Sequence, residues 1–299
     1  MQQDIQVSAA NEDRIYHSNL SKMYDAAFAK ALALFDEVFT VTEAFKVFSI
    51  EGFLENPNRL KILRYIIKPS LSQMKFAQQF SLPSQGVIED TSRALPAKYK
   101  NRLSGAWNDI ITFVLQNYDR RRFPWLLREV QIPTNAEIDA ARNWTCGLIA
   151  DANAQTEYRN WRKDQQEDSI ASWLVRNGYR ENISRSIISR ATDLQPGEFR
   201  RETKVQGQTL QKADLCIRSK KTGRLVLLEA KAVGVKIDAY KRCKECCDKA
   251  RDWDCDALEH PQVIALIAGH FSATNLSALR KAGISFVWEH KMDVLGDFV

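Results

Sequence analysis

Residues 225–231 read Leu-Val-Leu-Leu-Glu-Ala-Lys, four consecutive large apolar side chains running straight into two opposite charges. An apolar run of that length, with Gly223 just before it, is expected of a strand covered on both faces. Residues 263–268, Val-Ile-Ala-Leu-Ile-Ala, repeat the pattern, so the second half of the chain is expected to be built on interior strands. Side chains alternate along a strand, which puts Glu229 and Lys231 on one face and Ala230 on the other. A lone charge there would be costly to desolvate and calls for a partner or a metal.

Around these strands the pattern predicts a helix ending near Asn177, then strands over 199–205, 213–218 and 225–231. A helix over 238–253, a strand over 262–268, a helix over 273–282 and a strand over 284–288 follow. This is an α/β arrangement with a mixed central sheet flanked by helices. The first half reads differently. Apolar residues recur at helical spacing over 15–39 and 99–115, with breaks at Glu55-Asn56-Pro57-Asn58, Leu82-Pro83-Ser84-Gln85-Gly86 and Arg122-Phe123-Pro124. Thr134 with Glu137 three residues on is a capping pair opening a long helical stretch through Trp161. Two domains are expected, a helical one over 1–154 and an α/β one over 155–299.

The chain has no run of eighteen apolar residues, and its polar N-terminus lacks the order of a signal peptide, so a soluble cytoplasmic protein without membrane contact is expected. The six cysteines are crowded rather than spread as a disulfide framework would be. Residues 155–299 carry 25 Lys and Arg against 20 Asp and Glu, a small basic excess that fits a polyanionic partner.

The chemistry lies in Lys212-Ala-Asp-Leu-Cys-Ile-Arg218, a turn at Lys220-Lys221-Thr222-Gly223, and the strand ending in Glu229-Ala230-Lys231. In a hairpin of this kind Asp214 can bring a second carboxylate beside Glu229. Two carboxylates make a hard oxygen site suited to Mg2+, which keeps several waters and can activate one while sitting on a phosphate oxygen. Lys231 would position or help deprotonate that water and offset transition-state charge. Burial favours a lowered lysine pKa and the carboxylates oppose it, which leaves its protonation open. Glu167, in helical register with Ile170, Leu174 and Gly178, is a candidate supplementary acid. An Asp on one strand and Glu-x-Lys on the next also occur as plain ion pairs; the order of helix, Asp strand and apolar Glu-x-Lys strand favours the site.

That order resembles the PD-(D/E)xK nuclease superfamily, and the last 130 residues or so resemble the XamI-type restriction endonucleases. The residues carrying the narrower likeness are Lys212-Ala-Asp-Leu, Leu228-Glu-Ala-Lys231, Lys241-Arg242, the helix to Trp253, Ile264-Ala-Leu-Ile-Ala-Gly-His-Phe271, and Gly283-Ile-Ser-Phe-Val-Trp-Glu-His290 leading to Asp293. The resemblance implies that Asp214 and Glu229 bind Mg2+ and that Lys231 is the catalytic lysine. Ala213 stands where proline is usual. It further implies a type II enzyme, homodimeric, that cuts double-stranded DNA at a short sequence and is accompanied by a protective methyltransferase, with 155–299 as its nuclease domain and 1–154 as a domain that grips DNA or dimerises. The rivals are a repair, recombination or structure-specific nuclease on the same scaffold, and an inactive DNA-binding protein.

Candidate DNA contacts are Lys236, Lys241 and Arg242 just after the catalytic strand, Arg185 before it, and Arg120, Arg121 and Arg122 among aromatic neighbours. The triple arginine reads equally as a solvated helix end. Cys243 and Cys246 have zinc-like spacing with Cys247 and Cys255 nearby, but on a helix the first three share one face and read as packing. His260, His270 and His290 are isolated and read as structural.

Overall fold

A computed structural model describes every residue except 84–88, 90–93 and 130–131; the expected break at Ser84, Gln85 and Gly86 therefore lies outside the described residues. The chain divides into two compact units, one of residues 1–20 with 157–299 and one of residues 21–156.

The second of these is helical. It takes in the second half of α1 (Gln2–Val41), then α2 (Ile50–Glu55), α3 (Leu60–Ile66), α4 (Gln73–Gln79), α5 (Ala97–Asn117) and the first half of α6 (Asn135–Arg176). Phe35, Phe45, Leu63, Ile110, Phe123 and Trp125 belong to its buried core. The Thr134 capping pair forms: Thr134 N–H donates to the Glu137 carboxylate at 2.9 Å, and Glu137 N–H to Thr134 Oγ1 at 3.3 Å. The helix it opens runs unbroken to Arg176, because no proline interrupts it and its one glycine, Gly147, is tolerated.

The other unit is a six-stranded mixed sheet in sequential order: β1 (Arg180–Glu181), β2 (Glu198–Gln206), β3 (Leu210–Arg218), β4 (Leu225–Val233), β5 (Gln262–Gly269) and β6 (Ser285–Trp288). β2, β3 and β4 are antiparallel neighbours, and β4, β5 and β6 are parallel. The parallel connections are made by α7 (Lys236–Trp253) and α8 (Ala273–Lys281). β4 and β5 are interior, as their apolar runs require. Leu225, Leu227, Val263, Ala265 and Ile267 face a core that includes Ala239 and Cys243 of α7 and Leu276 of α8. Val226, Leu228, Ile264 and Leu266 face a core with Ile170, Trp173 and Leu174 of α6. Among the described residues no helix is long and apolar enough to cross a membrane.

The two-residue β1 escapes a reading based on apolar runs, because both its residues are exposed and charged. It is held through Glu198, which accepts from Asn182 Nδ2 at 3.0 Å, Arg180 at 2.5 Å and Gln195 N–H at 3.2 Å. The Asn182 bond, then those of Arg180 and Gln195, pull the Glu198 carboxyl down to about 2 from its ordinary 4.5. A depressed carboxyl stabilises the fold fully above its unfolded pKa and loses that contribution as pH falls through the folded value. Urea unfolding should therefore show stability declining between pH 4.5 and 2, and Glu198→Gln should flatten part of that slope. An identical slope in the variant would show that the edge is held by other means.

Candidate active site

β3 and β4 pair from Arg218 opposite Leu225 to Leu215 opposite Leu228, and there the ladder ends. One step further on, the Asp214 carboxylate does the work of a backbone carbonyl: its Oδ2 accepts the Ala230 N–H at 2.9 Å. The strands thus open where the sequence changes from apolar to charged, and the opening is capped by the side chain that the site needs.

Glu229 is completely buried, and Asp214 and Lys231 nearly so. Lys231 Nζ lies 3.2 Å from Asp214 Oδ2 and 2.7 Å from Glu229 Oε2. Burial works to lower the pKa of this ammonium, but Glu229 and Asp214 outweigh it and hold the group above the ordinary lysine value. In this arrangement Lys231 is a cation.

The oxygens of both carboxylates therefore reach a single point now shared by one cationic group. A pair of hard anionic oxygens converging in this way is a donor set that suits Mg2+. Among the described residues no group of three or more His, Cys, Asp or Glu comes together as a metal site. The rest of the coordination would fall to water, which Mg2+ retains readily. The donor set present is thus two carboxylates.

Glu167 lies on the sheet-facing stripe of α6, one turn before Ile170, and is buried. Burial and then the Asp214 charge push its carboxyl up. Its Oε1 is 3.2 Å from Lys163 Nζ, close enough for an ion pair but without hydrogen-bond alignment. It feels the Asp214 charge without joining the pair as a third clustered carboxylate.

Two further groups at the site carry no sequence signal that singles them out. Lys249, on α7, donates to both Glu229 oxygens at 2.7 and 2.8 Å and to the Lys212 carbonyl at 2.5 Å. Glu202 on β2 falls opposite Asp214 in the register and has a left-handed backbone, φ 48°, an unusual conformation for a residue with a side chain. Its carboxylate is bound by Lys163 and Lys212, each at 2.7 Å, and these two bonds draw it down to about 2.

Beside the pair, a groove of about 860 Å³ is lined by residues including Glu167, Arg185, Ile183, Arg201, Glu202 and Lys204. Arg185 is exposed on it. Asp214, Glu229 and Lys231 are not among its lining residues. Lys236, Lys241 and Arg242 are exposed on the first turns of α7, with Arg242 paired to Glu245 at 2.8 Å. Arg120 and Arg121 are exposed in the helical unit, whereas Arg122 is buried there. The Arg122 guanidinium is spent on Asp119, Thr145 Oγ1 and the Ile67 carbonyl, at 3.1, 3.2 and 3.3 Å. Cys243 and Cys246 are buried against the sheet, where desolvation pushes their thiols up to about 11 and about 12.

The XamI restriction endonuclease family matches residues 43–288. The chain is 29% identical over 157 residues to the type II restriction enzyme SalI of Streptomyces albus G, covering 50% of this chain and 48% of that one. It is 27% identical over 192 residues to the type II restriction enzyme XamI of Xanthomonas campestris pv. amaranthicola, covering 64% of this chain and 65% of that one. The chain thus spans about half of the first relative and just under two thirds of the second.

Proposed function

Because this chain belongs to the XamI restriction endonuclease family, we propose that it is a type II restriction endonuclease that hydrolyses double-stranded DNA with Mg2+ at a PD-(D/E)xK centre. The observation that carries the reading is the meeting of Asp214, Glu229 and Lys231 where β3 and β4 part.

Asp214 and Glu229 would hold Mg2+, which supplies a Lewis acid for the scissile phosphate and a water of lowered pKa. The protein's own residues do the rest. The Ala230 N–H fixes one Asp214 oxygen, so that carboxylate needs little reorganisation before reaction. Lys231, paired with both carboxylates, positions the attacking water and neutralises charge that builds on the phosphoryl oxygens. Glu167, buried on α6 with its carboxyl pushed up by burial and then by the Asp214 charge, is a supplementary acid of the metal site. Lys236, Lys241, Arg242 and Arg185 contact DNA phosphates, as do Arg120 and Arg121 from the helical domain. Arg122, with its guanidinium bonded inside that domain, would support its two neighbours.

The same reading includes a homodimer, which would present one such centre to each strand, and a host methyltransferase that protects the recognised sequence. The experiment is to incubate purified protein with methylated and unmethylated phage DNA, with Mg2+ or with EDTA, and to resolve the products on a gel. Discrete fragments that require Mg2+ are expected. A smear without bands would favour a repair or structure-specific nuclease, and uncut DNA in every lane a binding protein.

A further inference from the structure

Glu229 has no exposed surface, yet both its oxygens are engaged by two ammonium groups that reach it from different elements. Lys231 comes from the same strand and lies between Glu229 and Asp214. Lys249 comes from α7, and its bonds go to Glu229 and to the Lys212 carbonyl, two residues before Asp214. Its ammonium also lies over the Trp253 ring, one turn along the helix, at 5.5 Å. A solvated helix lysine has no need of these anchors. This one is partly buried and ties α7 to the strands that carry the two carboxylates.

The two lysines differ in what they can do. Lys231 bridges Asp214 Oδ2 and Glu229 Oε2, while Lys249 spans both Glu229 oxygens from α7 and bonds the Lys212 carbonyl rather than Asp214. Without Lys249, Glu229 Oε1 loses its ammonium donor and the buried carboxylate is held by Lys231 at Oε2 alone, free to rotate about that contact. That rotation would lose the orientation in which the carboxylate faces the point it shares with Asp214.

We propose that Lys249 is a positioning residue, which holds the Glu229 carboxylate in the orientation needed to bind a divalent cation jointly with Asp214. The inference rests on the two-carboxylate Mg2+ reading. Residues that hydrogen-bond a ligating carboxylate typically contribute about 10- to 100-fold to metal affinity.

The test is calorimetric titration of Mg2+ alone into the intact protein without DNA, for the wild type, Lys249→Met, Lys249→Gln and Lys249→Arg. Lys249→Met should bind Mg2+ about 10- to 100-fold more weakly. Lys249→Gln, which keeps a donor but no charge, should fall between Met and wild type. Lys249→Arg should recover most of the affinity, because a guanidinium can donate to the same oxygens. In cleavage assays the deficit of Lys249→Met should shrink as Mg2+ is raised, which a general loss of folding would not produce. Should Lys249→Met prove unstable by thermal unfolding, the Gln and Arg variants carry the comparison. Unchanged or tighter Mg2+ binding in the neutral variants overturns the inference and leaves the metal reading intact. A wild-type protein that binds no Mg2+ overturns both.

Discussion

Replacing Lys231 with alanine should slow DNA cleavage by about 10²- to 10³-fold, the usual cost of removing one preorganised charge or donor aimed at a transition state. The argument starts from its environment. Lys231 is mostly buried, 3.2 Å from one carboxylate oxygen and 2.7 Å from another, and those charges hold it protonated. A cation fixed at low local dielectric stabilises developing negative charge far better than a mobile one in water. The loss should be in the chemical step. Mg2+ binding, measured by calorimetry without DNA, should persist because Asp214 and Glu229 remain and Lys249 still holds Glu229. Circular dichroism should show an unchanged fold. A Lys231→Ala protein that cuts at the normal rate would remove this cluster from consideration as the active centre.

The cluster is legible in the sequence because it uses two short-range rules. Strand alternation places Glu229 and Lys231 together, and the hairpin with its turn at 220–223 brings Asp214 opposite. The apolar runs likewise mark β4 and β5 as interior, since a strand covered on both faces buries every side chain of such a run. What escapes the sequence is whatever depends on distant partners. Lys249 stands twenty positions from Glu229 on a helix dense with charge, where a lysine looks like an ordinary solvated residue. Nothing in Arg201-Glu202-Thr203 announces the left-handed backbone of Glu202. The triple arginine shows the same limit in reverse. Arg120, Arg121 and Arg122 look alike in the sequence, yet Thr145 and the Ile67 carbonyl draw only the third into the interior.

Distance also hides the role of the first twenty residues, which belong to the sheet unit although their sequence is polar. Ser8 Oγ accepts the Gly269 N–H at 2.8 Å, at the end of β5. Gly269 opposes Val233, two positions past the Lys231–Ile267 rung. Its φ of +91° and the Val233 carbonyl leave no room there for a Cβ. Polar side chains on α1 thus serve as fastenings, a use that hydrophobic periodicity does not reveal.

The strongest of these fastenings should be visible as stability. Arg162 is buried between Glu12 on α1 and Glu289 just after β6, with bonds of 2.8 and 2.6 Å to the two carboxylates. Glu12 is equally buried and also accepts from Tyr158 at 3.1 Å. Desolvation works against the Arg162 charge, but the hydrogen bonds it donates to Glu12 and Glu289 overcome it and raise its pKa, so the guanidinium stays charged. Arg162→Met would leave Glu12 ionised in the interior without its cation, a defect that costs about 3–5 kcal/mol. The urea midpoint of the sheet unit should fall accordingly. Adding Glu12→Gln to Arg162→Met should restore part of the loss, because much of the penalty is the stranded charge rather than the missing contact. Arg251→Ala breaks the exposed pair with Asp248 at 2.7 Å and should cost under about 1 kcal/mol. If Arg162→Met proves as mild as Arg251→Ala, the buried triad is not what fastens the N-terminal helix to the sheet.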